Sequence, residues 1–535
     1  MPSDAAPLYA RLEERILARD QIGASAMLYD LLRAGEGQNS IIAEAVRIHA
    51  PYTHVPYHER IDDGYVNFVN NDHCLLSARA TINLARLVGE DSAMLPLAQT
   101  IWYIPTGLDI WNQKIGRAPG HYTRGFKGSI ENPPPPVVYW PDQQPLALSG
   151  ALQARLETWL THVHRGQVPE AYRIFLGLMQ NPEERKPVLA ELVFAGLIDV
   201  QDRLLHNRSF TTGHKAYRAR ATVEIGSALG WENAHDVLYA GALDIAVGPR
   251  WYSTYEMACN AVKQFIEGEA LHAVPYRGVS AAEQAMLGNT GALSAGEAAG
   301  LADAILRGTE PDFIAALVGL LKAGKSPRRI LDAIQLAAAE AVLSTHGAPN
   351  FSGPHHCYEY CNTLGWFFDR FDHPRRLRLL FVAAAFLQRV ADHQRGIGDF
   401  TALRIAAPDA ALGLSAEDIL ARTDAAICAL AAEESVAWTQ AYLDTGADRA
   451  RLVRCLALAA CKLGNDPHNQ EIAQCMLMDY ATNQSPDREI LLLACAWHTA
   501  LHRKYGDPLE AARRFGEAMG IAALSGAHMA PVRPV

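Results

Sequence analysis

The chain has 535 residues, about half of them apolar and a fifth charged, which is enough for a large buried core in an ordinary globular protein. Its net charge of −10 argues against nucleic acid as a partner, because proteins that neutralise phosphates are usually basic. No run approaches the roughly 18 apolar residues of a membrane span, and the first residues lack the charged, apolar and cleavage regions of a signal peptide. The expected location is the cytoplasm, with no membrane partner.

From the N-terminus onward the pattern is helical. MPSDAAPLYARLEERILARD reads as a short charged helix. Apolar residues recur at i, i+3, i+4 and i+7 in DFIAALVGLLKA, RRILDAIQLAAAEAVL and RLVRCLALAACKL, with Ala and Leu dominant. Alternating strand patterns are absent. Residues 1–104 read as an N-terminal helical part. Residues 105–148, rich in Pro, Gly and aromatics, break the pattern; so long an irregular stretch predicts a lid or binding loop. Residues 149–520 read as a core of helical repeats, one domain with 1–104, and 521–535 as a loose tail. The nine cysteines lie mostly in apolar helical runs without a CxxC, which predicts reduced, buried thiols. Cys357 and Cys361 share a helix face but lack zinc-motif spacing.

Residues 168–214 and 311–356 read as two copies of one unit: helix, helix, irregular linker with a His, then a His-bearing helix. The segments around His73 and His468 share the later half of that unit. His73, His214, His356 and His468 each stand near the start of a predicted helix, and sixteen residues after each comes punctuation: Gly89, Gly230, Asp372 and Gln484. A second apolar helix follows every time. The fold class expected is all-α, helical hairpin repeats packed around a central His-lined site, either bundle-like or a curved array.

Repetition alone can fix a structural His in each unit. Four imidazoles facing one interior, however, would be costly to bury without a shared ion. Glu471 lies three residues after His468 and Glu359 three after His356, each on its histidine's helix face. Four His and one carboxylate leave one position open on an octahedral ion, which fits Fe(II) better than four-coordinate structural zinc. The metal ligands expected are His73, His214, His356, His468 and Glu471. His355 is an alternative to His356, and Glu359 to Glu471. His206, His346, His355 and Glu359 are candidates for the surrounding pocket. Pro56 interrupts any helix holding His54 and His58, and solvent-side or capping roles are expected for His498 and His502. No GxGxxG after a strand, GxSxG, HExxH or CxxCH occurs.

At these residues the chain resembles the questin oxidase family, all-helical proteins of fungal polyketide pathways with many bacterial relatives. The patches that carry the resemblance are NNDHCLLSARATINLARLVG, TTGHKAYRARATVEIGSALGWENAHDVLY, GPHHCYEYCNTLGWFFDRFDHPRRLRLLFVAAAFL and NDPHNQEIAQCMLMDY. The resemblance implies a non-haem iron oxygenase that opens anthraquinone-type rings, with four His and a carboxylated lysine on the iron. It carries the His roles to His73, His214, His356 and His468. The family's His-x-x-Lys is here His-x-x-Glu, at Glu471, so the carboxylate is direct and its reach differs. The activity expected is an Fe(II) and O2-dependent oxygenase acting on an aromatic or quinone-like small molecule, with an external reductant if only one oxygen atom is retained. The alternatives are a zinc-type hydrolase or lyase and a non-catalytic helical scaffold with structural His.

Overall fold

The computed structural model describes residues 5–50, 58–61, 64–67, 73–105, 143–200, 213–231, 241–242, 245–246, 252–267, 278–464, 466–502 and 507–524. These are almost wholly helical, as the apolar periodicity predicts. The exception is a short antiparallel hairpin, His58–Ile61 with Gly64–Asn67, that pairs His58 with Asn67. The sequence shows no alternation there to predict it. The expected N-terminal helix spans Ala6–Leu17. The lid expected at 105–148 falls mostly outside the described residues; of its end, Leu146 donates its N–H to the Arg173 carbonyl.

Eight helices frame the site: α1 (Cys74–Leu84), α2 (Arg185–Leu197), α3 (His214–Leu229), α4 (Pro327–Leu343), α5 (Gly353–Arg370), α6 (Arg378–Gly396), α7 (His468–Thr482) and α8 (Ile490–Ala500). The four that begin at the phased histidines close a ring, in which α1 packs on α3, α3 on α5, α5 on α7 and α7 on α1. A closed ring, not an open array, is therefore how the repeat buries its faces.

The repeat is also fuller than its sequence pattern. Two helices precede the His helix in all four units: Gln21–Arg33 and Gln38–His49 before α1, Val168–Met179 and α2 before α3, Glu310–Lys322 and α4 before α5, and Ala432–Asp444 and Arg449–Lys462 before α7. The second of each pair packs on its own inner helix. Between α2 and α3 the approach is close enough to require glycine, since a Cβ on Gly196 would meet the Ala216 backbone at 2.7 Å. The apolar helix expected after each His helix is present at 95–105, α6 and α8; its counterpart after α3 lies mostly outside the described residues.

Inner-helix side chains are buried on nearly every face, which is why α3 and α7 lack a simple apolar stripe. The nine cysteines are free, and seven are buried, Cys357 and Cys361 among them. Of the tail expected at 521–535 only 521–524 are described, and these are packed: the Ile521 N–H bonds the Gly516 carbonyl and Leu524 is buried against Gly516. No helix among the described residues is long and apolar enough to cross a membrane.

Candidate metal centre

Each of the four inner helices begins at the site for a local reason. His73 is itself the residue that precedes α1. Gly213 takes φ +93° before His214, a left-handed conformation that favours glycine. Pro354 sits in the first turn of α5, and Pro467 immediately precedes His468. The helices thus run the same way from one point, with four positive N-terminal ends toward the site.

That convergence brings the four predicted imidazoles together. Ring centroids lie 5.1 Å apart for His73–His214, 4.9 Å for His214–His356, 5.1 Å for His356–His468 and 4.3 Å for His468–His73. Treated as a square, these sides give a half-diagonal of about 3.4 Å, close to the roughly 3.2 Å from an ion to the centroid of an imidazole bound at 2.0–2.1 Å. His73, His214 and His468 each offer a donor atom within 4.8 Å of the other two, against at most about 4.2 Å between two nitrogens bound to one ion at 2.0–2.1 Å. His356 completes the ring by its centroid distances to His214 and His468, but is not in that group of donor atoms. All four are buried.

The nitrogens facing away from an ion are held. His73 Nδ1 donates to Glu471 Oε2 at 2.7 Å, and His468 Nδ1 to Asp466 Oδ1 at 2.6 Å. Asp466 Oδ1 also accepts the His468 backbone N–H at 3.1 Å. His356 Nδ1 donates to the Ser352 carbonyl at 3.1 Å. With Nδ1 so engaged, Nε2 is the nitrogen that could face a metal, the tautomer that such outer partners select. Tyr217 donates its hydroxyl to the His356 carbonyl at 2.5 Å and so ties α3 to α5 one turn from the rings. Tyr103 lies 6.4 Å from the His73 ring and Phe351 5.8 Å from that of His468, an aromatic border on two corners.

Beneath the rings the bundle axis is polar. Arg79 Nη2 donates to Glu359 Oε1 at 3.2 Å, and at 3.5 Å reaches the Glu471 carbonyl and Cys475 Sγ. Arg220 bonds Asn362. Asp479 accepts from Asn362 at 2.8 Å, Tyr358 at 2.8 Å and Gln335 at 3.0 Å. Burial pushes the Glu359 carboxyl up to about 7, against the opposing charges of Arg79 and Arg220. It likewise pushes Asp479 up to about 6.

Other sequence candidates are placed as follows. Glu471 is at the site, on His73, and is not in the group whose donor atoms lie within 4.8 Å of one another. Glu359 pairs with Arg79. His355 turns from the ring to His498, with 2.8 Å between their Nδ1 atoms, so His356 is the member of the pair that joins the four. His498 is fully buried, with Nε2 donating to the His468 carbonyl at 3.0 Å, and His502 meets Asn469; the solvent-side or capping role expected for both is incorrect, because α8 packs directly on α7. His346 binds the Thr401 carbonyl and edges onto Trp497, closing a loop. His206 and His54 lie outside the described residues, and of His58 only the backbone, in its strand, is described.

Sequence reasoning missed Asp466, His498 and Arg79. Asp466 had a local clue: an Asp two residues before a His, with Pro467 between, is well placed to cap both its backbone and its ring. The other two act across elements far apart in sequence and had none. No family model, curated protein or solved structure matches this chain.

Proposed function

We propose that this chain is a non-haem Fe(II) oxygenase that uses O2 to open or oxygenate an aromatic or quinone-like small molecule, acting in the cytoplasm and drawing on an external reductant where one oxygen atom is reduced to water. The observation that carries this reading is the closed ring of four buried imidazoles with sides of 4.3–5.1 Å. Four nitrogen donors that leave coordination positions open suit a redox metal better than a closed structural zinc site. The resemblance of the four His-centred patches to the questin oxidases supports iron and the aromatic substrate class.

The residues that would hold the metal are His73, His214, His356 and His468. Bound there, Fe(II) would supply the one-electron chemistry that lets O2 react with an aromatic ring. The protein's share is positioning. Glu471, Asp466 and the Ser352 carbonyl fix three imidazoles by their Nδ1 protons. Tyr217 locks the α3–α5 corner. The four helix N-termini favour negative charge developing at the site. Tyr103 and Phe351 present aromatic edges beside two of the rings.

The test is anaerobic reconstitution with Fe(II), followed by metal analysis and oxygen uptake with a panel of hydroxyanthraquinones and simpler phenols. About one iron per chain and substrate-dependent oxygen consumption are expected. Preferential zinc uptake with anaerobic turnover would make the protein a hydrolase or lyase. Failure to bind any transition metal would leave the histidines a structural role.

A further inference from the structure

We infer that Glu471 is not a metal ligand but one of two outer carboxylates, with Asp466, that hold His73 and His468 in place, so that an ion at this centre has an all-imidazole protein shell and two open positions. The inference rests on the metal reading above and changes its ligand set.

The geometry is direct. Glu471 Oε2 lies 2.7 Å from His73 Nδ1, and Asp466 Oδ1 lies 2.6 Å from His468 Nδ1. A ring nitrogen that donates its proton to a carboxylate is not also a metal ligand, so His73 and His468 face an ion with Nε2. The two nitrogens of an imidazole lie on opposite sides of the ring. A carboxylate oxygen hydrogen-bonded at Nδ1 therefore stands roughly 6 Å from an ion bonded at Nε2 by 2.0–2.1 Å, and its partner oxygen remains more than about 4 Å away. Neither reaches without breaking the bond to His73.

Burial strengthens the argument. Glu471 is fully buried and Asp466 nearly so. The Glu471 backbone carbonyl receives Arg79, which fixes this turn of α7 beneath the rings. The two carboxylate-backed imidazoles belong to the closest pair in the ring, 4.3 Å apart. The outer carboxylates raise the basicity of His73 and His468 as donors. With four protein nitrogens rather than five protein donors, an octahedral ion keeps two positions, room for a chelating substrate or for substrate and O2 together.

The experiment loads the full-length chain with Co(II) and determines its crystal structure. It also measures Co(II) affinity and visible absorption for the wild type, Glu471→Gln, Glu471→Ala and Asp466→Asn, with apo-protein melting as the folding control. Expected are four Co–N bonds and no Co–O bond from Glu471. Glu471→Gln, whose amide oxygen still accepts from His73, should keep the wild-type spectrum with affinity within about tenfold, and Glu471→Ala should lose the roughly 10–100-fold typical of a missing outer partner. A Glu471 oxygen at bonding distance from Co(II), or a Glu471→Gln spectrum and affinity loss matching Glu471→Ala, overturns this inference alone. Absence of Co(II) uptake by the wild type overturns the metal reading and this inference with it.

Discussion

His355 and His498 share one proton: their Nδ1 atoms are 2.8 Å apart, while His498 Nε2 lies 3.0 Å from the His468 carbonyl. A carbonyl only accepts, so His498 carries its proton on Nε2 and presents a lone pair at Nδ1. His355 must then donate from Nδ1. Burial keeps both rings neutral, holding His355 well below the usual imidazole range and pushing His498 down to about 4. One tautomer of each residue is thereby fixed, and the first turn of α7 is braced from behind by α8.

A double-mutant cycle at this pair has a definite sign. His498→Leu leaves the His355 N–H buried without an acceptor and should cost about 1–3 kcal/mol. His355→Leu should cost a similar amount. The double variant should be less destabilised than the sum, because no buried polar group is orphaned between them. Chemical denaturation of the apo protein checks this; strict additivity would mean the shared proton contributes nothing.

The four ring histidines should behave alike and unlike their neighbours. Alanine at His73, His214, His356 or His468 should lower Fe(II) or Co(II) affinity by more than the roughly 10–100-fold expected for loss of an outer partner. His346→Ala, which removes only a loop contact to Thr401 and Trp497, should leave affinity unchanged. Competition titration against a chelator measures both. Equal effects at His346 and His356 would contradict the ring.

The Gly213→Ala variant tests the link from backbone to ring. A Cβ there would meet the Tyr217 hydroxyl at 2.3 Å, and φ is +93°. The left-handed conformation alone should cost about 1–2 kcal/mol, and displacing Tyr217 removes its bond to the His356 carbonyl. Lower melting temperature together with weaker metal binding is expected. A stability loss with unchanged affinity would show that Tyr217 does not position His356.

Glu359 makes the apo protein's stability depend on pH. Burial raises its carboxyl from 4.5 to about 7 in the folded chain. Between those values the folded state holds a proton that the unfolded state has released, so stability falls as pH rises through this window and recovers on acidification. One such group contributes a slope of at most about 1.4 kcal/mol per pH unit. Glu359→Gln should flatten the apo stability profile between pH 5 and 7, as followed by urea denaturation. An unchanged slope would mean Glu359 stays ionised beside Arg79.

How much of this was legible in the sequence differs by residue. The phase of His73, His214, His356 and His468 against helix starts was readable, because helix periodicity and breakers such as Gly213 and Pro467 act within a few residues. The two extra helices preceding α1 and α7 were not recognised as parts of the repeat, since their apolar faces share spacing with any packed helix. His355 and His356 were indistinguishable, because adjacent residues on a helix differ by about a third of a turn and only the neighbouring elements decide which faces inward. Asp466 was in plain view two residues from His468.

The sequence by itself determined an all-helical chain with one imidazole delivered at the head of each of four repeated units, since both properties follow from local conformational preference. Tertiary structure decided the rest: that the units close into a ring, that His356 rather than His355 joins it, and that Glu471 backs His73 across 398 residues. Spacing places Glu471 on the face of His468. Which ring its carboxylate meets depends on how α7 packs against α1, and that is set by burial of the whole interior rather than by any local run of residues.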